Sequence, residues 1–412
     1  SLIGHTQDFD IVWGTAGGII TTDEATFYNC RRAIEFMKYQ NVSSGGNLAN
    51  NVSYLKNAQF IVDDGLNEVF DGGSLKQISM WGVQGVRLRN CDLENQISST
   101  NTDEFNKFEG IGLLSINASF KLLANPTTFT FPTSESQYER SSISGFLAGV
   151  AVNNSDELSA LRINRTDFSN NYIGAYINNS LFSTLTRNTF GVTENETWAG
   201  SEGYASSFGL ALDHSTFYTV EENVFTGDEN PTTNTSGLSI FNSGYLDNEI
   251  YRNEFNDLVY GTMVYGNNGF NASIFNTDFN LGLSLKCNDY GLKTTSSDNT
   301  TDIYLHTDAV IDAIQGSPGT TQSPAGNRFS DNPENLLDGN ISIRNPEFNI
   351  EAYFHHIEQF TRPDYSDALK VNKVALDIEF GDDRNVPCPS NLTFGIGSCQ
   401  IKSSLGTSLP KK

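Results

Sequence analysis

Apolar residues in this chain alternate over short runs that break at Asn, Gly or Ser. The runs GVAVNNS from Gly149, GAYINNS from Gly174, GLALDHS from Gly209, GLSIFNS from Gly237 and GTMVYGN from Gly261 share one plan. GVRLRNC from Gly85 and GLSLKCN from Gly282 read the same way, and AIEFMKY from Ala33 carries Ala in the Gly place. A second element recurs between them, ending in an aromatic: INRTDF, LTRNTF, VEENVF, IYRNEF, IFNTDF and LKCNDY, which end at Phe168, Phe190, Phe225, Phe255, Phe279 and Tyr290. A period of two with β-branched and aromatic residues predicts strands, and the polar breaks predict turns. Only CRRAIEFMKYQ, from Cys30, also suits a helix; its alignment with the Gly runs argues for a strand.

From Gly149 onward the Gly positions lie 25, 35, 28, 24 and 21 residues apart. A period of this size with tolerated insertions is the signature of a solenoid. Strands stacked along an axis sit about 4.8 Å apart, so equivalent residues of successive coils touch. Phe168, Phe190, Phe225, Phe255, Phe279 and Tyr290 are therefore expected to form one inward ladder. Gly and Asn are expected at corners, where they adopt left-handed backbone at low cost, and Asn can bond its counterpart one coil on.

The G-φ-x-φ-x-N-S and φ-x-x-N-x-F skeletons (φ apolar) resemble those of right-handed parallel β-helix proteins. More narrowly, they resemble the Asn-rich repeat modules of large surface proteins secreted by the bacterial type 9 route. The resemblance implies an all-β, right-handed parallel β-helix. It also implies an extracellular or cell-surface location, with extracellular glycans or other surface-protein domains as partners. The same fold hosts lyases, hydrolases, adhesins and phage tailspikes, so the architecture alone does not choose an activity.

Along the chain, residues 1–15 read as a lead-in, 16–349 as the β-helix, and 350–412 as a C-terminal cap or a linker to a following domain. The chain does not open on Met or on a charged-then-apolar leader, which we expect of a piece of a longer protein. Insertions start at Leu123, Gly191 and Thr226. They are expected to leave one corner and form a wall of loops, the usual place for binding.

Composition narrows the function. Charged residues are 18% and the net charge is −24, which opposes binding to nucleic acid or to anionic membranes and favours divalent cations. No apolar run is long enough to span a bilayer. Five Cys without a CxxC argue against structural zinc. Cys388 and Cys399 bracket a short loop and could pair, while Cys30, Cys91 and Cys287 read as small buried hydrophobes.

Several groups could carry chemistry. The outward position between the two apolar residues of each Gly run reads Glu35, Arg87, Ala151, Tyr176, Ala211, Ser239, Met263 and Ser284. This row is small and mostly neutral, the mark of a covered face. A richer row precedes the ladder aromatics: Asp167, Glu254, Asp278 and Asp289, with Arg165 and Arg252 two residues before Asp167 and Glu254. In a polysaccharide lyase or glycoside hydrolase these would be the acid–base set, because that chemistry needs paired carboxylates beside a cation. The plainer account is a solvated stripe of alternating charge. Asp63, Asp64, Glu68 and Asp71 offer oxygen ligands on a Gly-rich loop that suit Ca²⁺, against the plainer account of an exposed turn. Trp198, Tyr204 and Tyr138 could stack on sugar rings, or fold back as satellite cores.

The expectation is a non-enzymatic surface module, adhesin- or stalk-like, with glycan contacts through its loops. Its rivals are a carbohydrate-active enzyme and a phage-type fibre, which would have to trimerise.

Overall fold

The computed structural model describes residues 19–37, 41–42, 48–49, 53–66, 75–97, 110–128, 132, 134–155, 160–193, 206–228, 234–269, 282–291, 300–312, 314–315, 325–330, 341–344, 352–356, 378–380, 390 and 392. Its strands form three long parallel sheets of 9, 9 and 10 strands. The chain visits the first, second and third sheet in turn and then starts the next coil. The first coil runs Thr21–Asp23, Thr26–Tyr28, Ile34–Phe36; the sixth runs Thr184–Thr186, Thr189–Val192, Ser206–Asp213. The fold is a right-handed parallel β-helix. Within AIEFMKY, Ile34–Phe36 is a strand of the third sheet, paired with Ile78–Met80.

The aromatic ladder lies in the second sheet, facing inward. Phe168, Phe190, Phe225, Phe255 and Tyr290 stack with centroid spacings of 4.7, 4.8, 4.9 and 4.9 Å. Offset stacking adds to the burial of each ring. The register joins Phe255 directly to Tyr290; Phe279 lies outside the described residues. Phe329 follows Tyr290 at 6.0 Å.

The repeated Gly does not sit at a corner. Gly149, Gly174, Gly209, Gly237 and Gly261 lie within strands of the third sheet. A Cβ on Gly209 would stand 2.7 Å from the Gly237 carbonyl oxygen and 2.8 Å from the Phe225 ring. Glycine is required there because the ladder ring fills the space a side chain would need. Asparagine does take left-handed corners, as expected, at Asn57, Asn90, Asn117, Asn179 and Asn242 (φ 47° to 54°), while from the fifth coil on the corner between the first and second sheets falls on Arg165, Arg187, Glu222, Arg252 and Cys287, with φ between 55° and 59°.

Directly after that corner comes a buried asparagine ladder. The Asn188 N–H and Nδ2 both donate to Asn223 Oδ1 at 2.9 Å. Asn223 does the same to Asn253, Asn253 to Asn288, and Asn288 to Asn327. Nδ2 of each also reaches a first-sheet carbonyl of the coil before, as Asn223 does to Leu185 O at 2.9 Å. Each buried amide is thus satisfied from both neighbouring coils, which fixes the register.

Register also corrects two sequence groupings. The GVRLRNC and GLSLKCN runs belong to the first sheet, as strands Gln84–Arg89 and Leu283–Lys286, whereas the other Gly runs belong to the third. The outward row of the third sheet therefore reads Glu35, Ser79, Leu114, Ala151, Tyr176, Ala211, Ser239, Met263, Tyr304. Ser79, Leu114, Ala211, Ser239 and Met263 are buried, so much of this face is covered, as its small neutral residues suggested. The insertions leave two corners: the one after Leu123 joins the first sheet to the second, and those after Val192 and Thr226 join the second to the third.

Cys30 and Cys91 are free thiols. Cys287 is disulfide-bonded and is not the simple buried hydrophobe expected; Cys388 and Cys399 lie outside the described residues. Parallel pairing continues past residue 349, since Ala352–His356 pairs with Ile314–Gln315 and then with Ile378–Phe380.

Candidate functional site

The insertion after Leu123 folds back on the corner between the first and second sheets. Asn125–Pro126 pairs antiparallel with Tyr138–Glu139, and the turn Glu135–Gln137 sits just before the returning strand. This brings Glu135, Tyr138 and Arg140 against Arg165 and Arg187, whose side chains are 6% and 7% exposed.

Charges interleave there. Arg165 grips Glu135 with two nitrogens, at 2.8 and 3.0 Å, and its guanidinium lies 3.9 Å over the Tyr138 ring. Arg187 Nε lies 3.4 Å from Glu135 and 2.7 Å from Glu222, and Arg252 approaches Glu222 at 3.8 Å. Arg140 donates to Asp167 at 2.7 Å, and also to the Arg187 carbonyl and the Thr189 hydroxyl. Arginines at adjacent coils would repel, and carboxylates set between them remove the repulsion.

The described residues of the enzyme reading fall into separate places rather than one group. Asp167 is tied to Arg140, and Arg165 and Arg252 are tied to glutamates. Asp167 and Glu254 share one outward row but stand three coil steps apart through Thr189 and Val224, about 14 Å at the usual strand spacing. Glu254 and Asp289 are direct neighbours in register. Glu254 accepts from Asn256 Nδ2 at 2.8 Å, and Asp289 pairs with Arg328 at 2.8 Å. Burial raises the Asp289 carboxyl above its ordinary value and Glu254 adds to that, while Arg328 opposes it. Asp278 lies outside the described residues.

Asp63 accepts from the Tyr28 hydroxyl, from Asn29 Nδ2 at 2.7 Å and from the Gly65 N–H at 2.8 Å. The Tyr28 and Asn29 bonds, then the Gly65 bond, hold its carboxyl below the usual range. These contacts make it the acceptor that shapes its own turn. Asp64 follows it in that turn, and Glu68 and Asp71 lie outside the described residues. Among the described residues no three His, Cys, Asp or Glu side chains gather to hold a metal ion.

Of the expected sugar platforms, Tyr138 is covered on one face by Arg165, and Trp198 and Tyr204 lie outside the described residues. A different aromatic group, which sequence reasoning missed, stands on the outer face of the third sheet. Phe241 and Tyr265 stack at 5.0 Å, Tyr265 lies 4.9 Å from the His306 ring, and Tyr260 meets Tyr304 edge-on at 5.2 Å. All five are half-buried. His306 Nδ1 lies 2.6 Å from Asp308. Burial, with Tyr304, Tyr260 and Asp308 nearby, pushes the Tyr265 hydroxyl up to about 12. The signal was present: Phe241 and Tyr265 occupy the same repeat position, just before the corner. Phe182 and Phe217 form a further exposed stack at 5.1 Å, one coil apart.

No family model matches the chain, and no curated protein matches it.

Proposed function

We propose that the chain is a non-enzymatic β-helix module of a larger secreted cell-surface protein, stalk- or adhesin-like, that engages extracellular glycans. The observation that carries the binding part is the half-exposed aromatic group Phe241, Tyr260, Tyr265, Tyr304 and His306, with Asp308 at its margin. Aromatic faces beside hydrogen-bonding groups suit a sugar, which has apolar C–H faces and polar edges. The stalk part draws on the rigid stack of coils, and the surface location on the resemblance to type 9 secreted modules. The net charge of −24 stands against nucleic acid. Among the described residues no helix is long and apolar enough to cross a membrane.

A glycan array run with the wild type and with Tyr265→Ala tests this reading. Binding that falls at least tenfold in the variant supports it. Absence of any binding reduces the module to a spacer.

One observation favours a second reading, a glycosidase or lyase: Glu254 and Asp289 are adjacent, with Arg328 on Asp289. Incubation with extracellular polysaccharides, followed by assay of new reducing ends or unsaturated products, decides it. Turnover lost in both Glu254→Gln and Asp289→Asn would establish the enzyme.

A further inference from the structure

The outer face of the first sheet carries a feature that the glycan reading above does not use. In register, Tyr54, Arg87, Lys121, Arg162 and Thr184 follow one another, one per coil. Arg89 stands two residues after Arg87 on the same strand and face. Arg87 and Lys121 are exposed; Arg89 and Arg162 are half-buried.

Three cations at about 4.8 Å intervals repel one another. Elsewhere this protein answers such repulsion with carboxylates, as at Arg140, Arg165 and Arg187. Here it does not. Among the described residues, Arg87, Arg89, Lys121 and Arg162 make no hydrogen bond or ion pair from their side chains, and the buried Nε of Arg162 has no acceptor. Burial, then Arg165 and Arg89, pull the Arg162 pKa down, which marks a cation held among like charges. The nearest ion pair on the same sheet, Lys56 with Asp23 at 3.1 Å, lies toward the first coil. The chain has 49 acidic and 25 basic residues, yet among the described residues no carboxylate pairs with this row.

We propose that this row is a binding site for a linear carboxylated polysaccharide lying parallel to the solenoid axis across the third to fifth coils. The charge complement and the geometry both select it. A polyuronate carries one carboxylate per sugar, and an extended sugar residue is close in length to the step between coils. Arginine forks match carboxylates with two parallel bonds. Duplex nucleic acid presents one charge per about 1.7 Å, denser than this row. The site shares with the proposed function only the extracellular setting, and it lies on a different sheet from Tyr265.

Calorimetry on the full chain tests it, with polygalacturonate oligomers, their methyl-esterified form and single-stranded DNA as probes. The expected result is binding of the free acid that weakens as salt rises, no binding of the methyl ester, and weaker binding of DNA. The triple variant Arg87→Gln, Lys121→Gln, Arg162→Gln loses at least tenfold in affinity, while Arg87→Lys with Lys121→Arg keeps most of it. Tyr265→Ala leaves it unchanged. A methyl ester bound as tightly as the acid, DNA bound as tightly or tighter, an unaffected triple variant, or no binding of the acid would each overturn the inference. Neutral-glycan binding lost in Tyr265→Ala alongside intact polyuronate binding would separate the two sites. Thermal melts of the triple variant that match the wild type show that any loss is not unfolding.

Discussion

Two sets of cations lie close together on this solenoid and are treated in opposite ways. At the corner between the first and second sheets, Arg165 and Arg187 are almost fully buried, and each meets a carboxylate within 3 Å. On the neighbouring face of the first sheet, Arg87 and Lys121 are exposed and meet none among the described residues. A buried charge without a partner is too costly to keep, so the corner is a structural device that ties an insertion to the coils. An exposed charge carries no such demand, so a row of them left unpaired is free to meet a ligand.

The comparison is broken most forcefully at Glu222, which sits between Arg187 and Arg252. Glu222→Ala should cost about 2–3 kcal/mol, because it strips a buried guanidinium of its closest partner; urea unfolding measures it. A change under half a kcal/mol would mean that the corner charges are solvated after all. Glu135→Ala comes next, at about 1–2 kcal/mol, since Glu135 is about half exposed while the Arg165 it releases is buried. That variant should also increase proteolytic cleavage within the insertion. On the sheet face, Arg87→Gln and Lys121→Gln should each stay within about 0.5 kcal/mol of wild type. Any gain they give should shrink with added salt, because it comes from relieved repulsion.

The smallest effect belongs to Asp289. Burial and Glu254 raise its carboxyl, against Arg328. An acid with a raised folded pKa keeps its proton longer when folded. Its contribution is therefore full at low pH and is lost as pH climbs from the ordinary carboxylate range through the folded value. Asp289→Asn should flatten the pH–stability curve in that window; a curve identical in shape to wild type would contradict the assignment.

The fold was legible because its rules are local and repeated. Phe190, Phe225 and Phe255 recur at one position of one skeleton, and stacking demands that they do. The asparagine ladder was legible only as a tendency, since Asn223 fills a corner position that many turns would accept. The role of the repeated Gly was misjudged: nothing in GLALDHS says that Gly209 makes room for Phe225 on another sheet. The same gap placed Arg87 with Ala151 in one outward row. GVRLRNC and GVAVNNS have the same alternation, and only pairing across coils assigns them to different sheets. The binding faces were least legible, because Arg87, Lys121 and Arg162 are separated by insertions that hide their spacing, and because Arg165 meets Glu135 only through a folded insertion.

Every face assigned above depends on the pairing register of the coils, and cross-linking tests that register most directly. In parallel neighbours, facing residues have Cα atoms within disulfide range, and Lys121 faces Arg162. The double variant Lys121→Cys, Arg162→Cys should form a new disulfide under mild oxidation, identified by peptide mass mapping, while Lys121→Cys, Ile163→Cys should not. Efficient bonding of the shifted pair, with none in the facing pair, would contradict the register and dissolve the row of cations.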